Sequence, residues 1–348
     1  MSSMDNQPIR LTETVKKGGC AAKLPAGQLR QVLLNLSIPK PKELAVGTET
    51  MDDACLWDLG DGRYMIQTLD FFTPIVDDAR SFGAIAATNA LSDVYAMGGE
   101  PKVALTILAF PTAHLPLELL EPLMEGALER ITAAGACLGG GHSIDDETLK
   151  LGFSVTGFVD KADAWTNAGA KAGDVFILTK GLGTGTLMSA LKSRKAEPQW
   201  IEEAISSMTL LNQVRDLILG ETIHAATDIT GFGLAGHGLQ MCRASGVKAI
   251  IDLKELPFLS GAEICLDAEI LNKAHYSNAD YVSKDVEYIE ATATQRWLTV
   301  DPQTSGGLLL AVPQSASESI LEKLKQRFPQ ASIIGRVESG EPSIRFEG

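Results

Sequence analysis

Several features that would fix a protein's setting are missing from this chain of 348 residues. No apolar run approaches the ~18 residues that a membrane-spanning helix needs. The longest, Val103 to Phe110 and Gly307 to Val312, are of strand length. The polar stretch Met1 to Arg10 has no apolar segment of the kind that directs secretion. Basic blocks are absent, and 44 Asp+Glu outnumber 30 Lys+Arg for a net charge of −14. A chain so charged is not expected to bind nucleic acid irrespective of sequence, which takes a basic stripe. It can still bind a polyanion such as ATP if metal ions or local donors offset the charge. The five cysteines, Cys20, Cys55, Cys137, Cys242 and Cys265, are odd in number and form no Cys-x-x-Cys pair. That argues against a disulfide framework or a zinc ribbon and for reduced thiols in a cytoplasmic protein. All but Cys20 read as small core residues.

What is present suffices for a folded protein of about two domains, at roughly 150 residues each. Tyr64 to Phe71 reads as a strand with Asp70 near its end. Ser81 to Met97 reads as a helix, with Ser81 a candidate N-cap and Gly98-Gly99 past its end. Lys102 to Phe110 and Lys150 to Val159 read as strands, and Pro116 to Ala134 as a helix. Ala136 to Leu138 leads, strand-like, into the glycine run Gly139-Gly140-Gly141. A short helix is expected over Gln28 to Leu36. In the second half, Val175 to Thr179, Lys248 to Leu253 and Gly307 to Val312 read as strands. Glu202 to Leu219, Gly231 to Ala244 and a terminal Ala316 to Phe328 read as helices. The domain boundary is expected within residues 160–170.

The strongest chemical signal is a set of aspartates: Asp52, Asp53, Asp70, Asp93 and Asp228. All but Asp93 lie beside a turn or a strand end, where Asp commonly serves only as a cap or a turn former. The same positions suit a hard cation such as Mg²⁺, which takes oxygen ligands and bridges phosphates. Asp93 lies inside the expected helix, four residues after Asn89 and on the same face. Its neighbours Ile85, Ala86, Leu91 and Val94 read as buried, so the polar pair needs a partner, either a ligand or a structural hydrogen-bond network. Gly139-Gly140-Gly141-His142-Ser143 could bring backbone N–H groups to an anion or be a plain turn. Neither it nor Lys180-Gly181-Leu182-Gly183-Thr184-Gly185 is a P-loop. Cys20 and Lys23 are three residues apart, and a nearby ammonium favours the thiolate; an incidental thiol in a tail is the alternative. His142 and His237 are isolated and read as structural.

Together several segments resemble the selenophosphate synthetase (selenide, water dikinase) family, within the aminoimidazole-ribonucleotide-synthetase-like superfamily. They are Gly19-Cys20-Ala21-Ala22-Lys23, Gly47 to Ala54, Leu69 to Asp77, Ala87 to Gly99, Gly140 to Asp145, Thr227 to Leu234 and Asp301 to Gly307. The resemblance implies an α+β, two-domain fold whose N-terminal sheets pair across a homodimer, followed by an α/β sandwich-like C-terminal domain. Residues 1–48 would be a mobile glycine-bearing segment able to close over the site. Residues 49–162 would bind ATP and metal and dimerise, and residues 163–348 would form the second domain. The implied reaction turns ATP, selenide and water into selenophosphate, AMP and phosphate, supplying activated selenium for selenocysteine or selenium-modified tRNA. Carried over by motif, Cys20 is the catalytic thiol and Lys23 the lysine near the phosphates. Thr50, Met51, Asp52, Asp70 and Asp93 line the nucleotide. Gly141, His142 and Ser143 contact it, from the second subunit of the dimer. Asp53, Asp93 and Asp228 hold Mg²⁺. A selenium-delivery protein is a further implied partner. Two departures fall in the selenide-handling segment: Ala22 stands where many members have a second cysteine, and Lys16 where many have a histidine. A thiamine-monophosphate kinase or a purine-pathway cyclase of the same superfamily, or a binding protein without turnover, are the alternatives.

Overall fold

The computed structural model describes residues 9–16, 18–19, 32 and 35–348. Cys20, Lys23 and most of the helix expected over Gln28 to Leu36 lie outside the described residues. The first sheet contains β1 (Leu44–Val46), β2 (Cys55–Asp58), β3 (Arg63–Phe72), β4 (Glu100–Phe110), β5 (Cys137–Asp145) and β6 (Lys150–Asp160). Its order is β1-β2-β3-β6-β4-β5. Only the β4–β5 pair is parallel. Such a pair needs a crossover, and α2 (Leu120–Ala133) supplies it. Helix α1 (Ala79–Ala96) packs on β3 and β6, and α2 packs on α1.

The second sheet joins β7 (Asp174–Leu178), β8 (Ala225–Asp228), β9 (Lys248–Asp252), β10 (Val286–Ile289), β11 (Leu308–Pro313), β12 (Ser332–Glu338) and β13 (Ser343–Glu347). Their order is β10-β13-β9-β12-β7-β11-β8. Its helices are α3 (Thr184–Lys192), α4 (Pro198–Thr209), α5 (Gly233–Ser245), α6 (Ala262–Asp267), α7 (Lys273–Val282), α8 (Ala293–Val300) and α9 (Ser317–Lys325). Two mixed sheets, each with its own helices, make the α+β architecture that was expected. Among the described residues no helix is long and apolar enough to cross a membrane.

Helix α1 explains how the halves stay together. It is apolar or small on all sides, and 16 of its 18 residues are buried, as expected of a helix with no solvent face. The cluster around it takes in Leu187 and Ala190 of α3 and Ile201, Ala204 and Met208 of α4. The core of the first half is therefore completed by helices of the second, which also has an interior of its own around Phe176, Leu309 and Phe346. Where α1 meets α2, a Cβ on Gly83 would lie 1.8 Å from the Leu123 carbonyl oxygen, and one on Gly126 would lie 2.0 Å from that of Arg80. Glycine at both positions allows backbone-to-backbone contact. Gly126→Val is expected to destabilise the fold by about 3 kcal/mol, the upper range for overpacking. Thermal unfolding followed by circular dichroism tests this, and a wild-type melting temperature would refute the close packing.

The structure corrects several expectations. Asp78, not Ser81, caps α1: its carboxylate accepts from the Ser81 backbone N–H at 2.7 Å. The helix expected over Glu202 to Leu219 stops at Thr209, because Leu210 is extended and its carbonyl accepts from Lys180 Nζ at 2.6 Å. Helix α9 is not terminal, since β12 and β13 follow it. Gly139-Gly140-Gly141 does not follow a strand but lies inside β5, where the β4–β5 register shifts at Ala104/Thr106. Gly140 and Gly141 have φ of 123° and 150°, so glycine carries the irregularity that a bulge requires. Of the cysteines read as core, Cys242 and Cys265 are buried, Cys55 is half-buried and Cys137 is exposed. Strand β1 lies before residue 49, so the first sheet begins within the segment expected to precede it. Residues 9–19, where described, are tied down: Arg10 Nε donates to Asp77 at 2.8 Å, Lys192 Nζ to the Lys16 carbonyl at 3.1 Å and Gly19 N–H to the Thr73 carbonyl at 3.0 Å.

Candidate active site

A cavity of about 540 Å³ opens where β2, β3 and α1 face β8 and α5. Its size is in the usual range for a small-molecule site. Six carboxylates line it: Glu49, Asp52, Asp53, Asp70, Asp93 and Asp228. Lys40, the one lysine or arginine among the described lining, pairs with Glu49 at 2.7 Å.

Each aspartate is held by the local fold. Asp53 stands just before β2, and its carboxylate accepts from Thr227 Oγ1 at 3.1 Å and the Asp228 N–H at 3.4 Å. This side chain is thus one of the contacts between the two domains. Asp93, on α1, is buried and accepts from Thr68 Oγ1 of β3. Asp70, on β3, accepts from Asn89 Nδ2 at 2.6 Å, and Asn89 Oδ1 in turn accepts from the Ser305 N–H at 2.8 Å. The polar pair noticed on α1 thus has structural partners: Asn89 links Asp70 to the 301–307 loop. Asp228 ends β8 and is buried.

The Thr50–Asp53 turn is fixed from the other half of the chain. Asp52 accepts from the Asn167 N–H at 2.6 Å and from Thr50 Oγ1, and Asn167 Nδ2 donates to the Met51 carbonyl at 2.8 Å. Met51 has φ of 55°, the left-handed region that a non-glycine residue adopts only when its surroundings hold it there. Asn167 was not singled out from the sequence. Nothing local marks it, because its partners lie more than a hundred residues earlier.

Electrostatics set this cavity apart. The Asp53 carboxyl is pushed well above the usual carboxylate range, first by desolvation, then by Asp228 and Asp52. That of Asp93 is pushed up likewise, first by desolvation, then by Asp70, Asp228 and Asp53. Clustered like charges resist joint ionisation, and an added cation relieves them. Among the described residues no group of three or more His, Cys, Asp or Glu side chains is arranged to hold a metal ion. The donors suit Mg²⁺, which takes one or two carboxylates and completes its shell with phosphate and water. Behind the loop, Lys180 is buried and donates to the carbonyls of Leu210 at 2.6 Å and Ser305 at 3.1 Å. Burial pulls its ammonium down to about 7.

Thus Met51, Asp52, Asp53, Asp70, Asp93 and Asp228 come together around the cavity, while Thr50 does not line it and stands behind Asp52, to which its Oγ1 donates. His237, read as structural, also lines the cavity, with Nε2 3.2 Å from Thr230 Oγ1. Gly141, His142 and Ser143 do not join them. They lie on β5, an edge strand exposed over most of its length and three strands from β3, a separation of roughly 14 Å at the usual strand spacing. Cys20 and Lys23 lie outside the described residues.

Residues 51–159 match the family described as AIR synthase related protein, N-terminal domain, and residues 171–346 match AIR synthase related protein, C-terminal domain. A selenide, water dikinase of Bdellovibrio bacteriovorus is 49% identical over 96% of this chain and 97% of its own. One from Nitrosomonas eutropha is 46% identical over 99% of this chain and 100% of its own. Among solved structures, AaThiL complexed with AMPPCP and TMP superposes with a TM-score of 0.63 at 20% identity, covering 91% of each chain. At that identity it speaks for the fold alone. The two-domain fold, the aspartate-lined cavity between the domains and this near-full-length identity place the chain in the selenide, water dikinase family of the AIR synthase related proteins.

Proposed function

We propose that this chain converts ATP, selenide and water into selenophosphate, AMP and phosphate. The observation that carries the reading is the carboxylate-lined cavity spanning both domains. It repels a bare nucleotide but suits one that arrives with divalent cations. Met51, Asp52, Asp70 and Asp93 would line the nucleotide, with Thr50 supporting Asp52, and Asp53, Asp93 and Asp228 would share the Mg²⁺ ions that arrive with it, one or two carboxylates to an ion. When bound, the metal neutralises phosphate charge and charge that develops during phosphoryl transfer. The protein's own contribution is positioning. Asn167 holds the Thr50–Asp53 turn, Asn89 orients Asp70, and the 301–307 loop braces α1 from the second domain. Cys20 is the thiol that handles selenium, and Lys23 lies by the phosphates; both roles rest on the Cys-x-x-Lys motif.

Gly141, His142 and Ser143 reach a nucleotide only from a second copy of the chain, which an exposed edge strand such as β5 can pair with. The working form is therefore a homodimer. A cytoplasmic setting fits the four described cysteines, which are free thiols, and a selenium-delivery protein is the remaining partner.

Anaerobic phosphorus NMR with ATP, Mg²⁺ and selenide tests the reaction. A selenium-coupled phosphorus signal, with AMP and phosphate accumulating only when selenide is present, is the expected result. ADP as end product without that signal would reassign the chain to another activity of the superfamily.

A further inference from the structure

A second cavity, of about 210 Å³, lies apart from the acidic one. It forms where the described part of the N-terminal segment, through Lys16 and Gly18, meets α3 and the start of α7. In a chain of net charge −14, its described lining holds three lysines, Lys16, Lys192 and Lys273, and no carboxylate. Neutral donors accompany them, among them Ser189 and Thr304. Lys192 is also the fastener of this corner, donating to the backbone carbonyls of Val15 and Lys16. The 301–307 loop separates the two cavities. Thr304 lines this one, while the next residue, Ser305, holds Asn89 and through it Asp70 of the acidic cavity.

The charge of each cavity suits a different anion. The acidic one requires a substrate carrying its own cations. The lysine-lined one attracts an anion directly, and its small volume suits a small inorganic anion. It lies against Gly18, and Gly19, the last described residue before Cys20, is fastened to Thr73. In neutral water selenide is the monovalent anion hydrogen selenide. We propose that this cavity collects hydrogen selenide, with Lys16 and Lys273 as its charge-bearing recognition groups. The proposal rests on the selenophosphate reading above and adds to it a separate site for the selenium substrate.

The test compares the wild type with Lys273→Gln, Lys16→Gln, the double variant and Lys273→Arg in anaerobic kinetics. Both lysines are exposed, so folding is not at issue. The KM for selenide is expected to rise at least fivefold in each single Gln variant and further in the double. The KM for ATP and kcat at saturating selenide should stay within twofold, and Lys273→Arg should restore the wild-type value. In parallel, anaerobic equilibrium dialysis with radiolabelled hydrogen selenide, without ATP, should show retention that the double variant loses. A double variant with unchanged KM for selenide and unchanged retention would overturn the proposal, as would an equal rise in both KM values. Wild-type protein without selenide-dependent AMP formation, but with lysine-dependent retention, would overturn the reaction and leave the site standing. Absence of both would overturn both.

Discussion

Asp53→Asn is expected to lower selenide-dependent turnover by at least about a hundredfold while raising the melting temperature of the ligand-free protein. The two effects have one cause. Asp53 stands among Asp52 and Asp228, and desolvation and these neighbours push its carboxyl upward. In the folded state it therefore binds its proton more tightly than in the unfolded chain. The folded form then carries more protons than the unfolded form between the ordinary carboxylate range and the raised value. Stability falls as pH rises through that window, so the burial of this carboxyl works against folding. Asparagine removes the titratable group and can still accept from Thr227 Oγ1, so the domain contact at 3.1 Å survives. It cannot serve a cation as a carboxylate does, and a hundredfold loss amounts to about 2.7 kcal/mol of transition-state stabilisation. Thermal unfolding from pH 5 to 8, with and without ATP and Mg²⁺, should show the wild type gaining most from ligand and the variant gaining little. Unchanged Mg²⁺ dependence of the rate would remove Asp53 from the metal site.

Cys20→Ser is expected to reduce turnover by more than about a thousandfold and to leave ATP affinity within twofold. The thiolate is the reactive form of a cysteine, and a thiol ionises far more readily than a hydroxyl. A serine hydroxyl in the same place stays protonated and is a far poorer partner for selenium. The change is nearly isosteric, so the anchoring of Gly19 on Thr73 has no reason to alter. The described lining of the nucleotide cavity comes from other segments and Lys23 is untouched, so calorimetric ATP binding in the presence of Mg²⁺ should be preserved. Surviving turnover would show that Cys20 is not the working thiol. Loss of ATP binding together with turnover would show that it supports the nucleotide site instead.

The sequence made legible those parts in which one residue type has one physical use. Long apolar runs became β3, β4, β6, β7, β9 and β11. The polar pair Asn89 and Asp93, on an otherwise apolar helix, pointed to the cavity wall. Aspartates at turns and strand ends were gathered there by the tertiary fold. Illegible were features decided by distant partners. Leu210, Val214, Leu217 and Ile218 have helical spacing, yet Lys180, thirty residues earlier, takes the Leu210 carbonyl and ends the helix. The glycine run looked like a turn because glycine permits both a turn and a bulge, and only pairing with β4 decides. The short strands β1, β2 and β10 have too few residues to show a period. Asn167 carries no local signature, since its role exists only once the Thr50–Asp53 turn is beside it.

The core shared through α1 has a bearing on inheritance. A chain whose halves each closed over their own interior could exchange one half for another during descent. Here Leu187, Ile201 and Met208 complete an interior that begins with Ile85 and Leu91. A substitution on either side of that surface is judged by its fit to the other. The halves are thus bound to drift in concert, and a graft of one onto a distant cousin's remainder would inherit a mismatched interior before it inherited any change in chemistry.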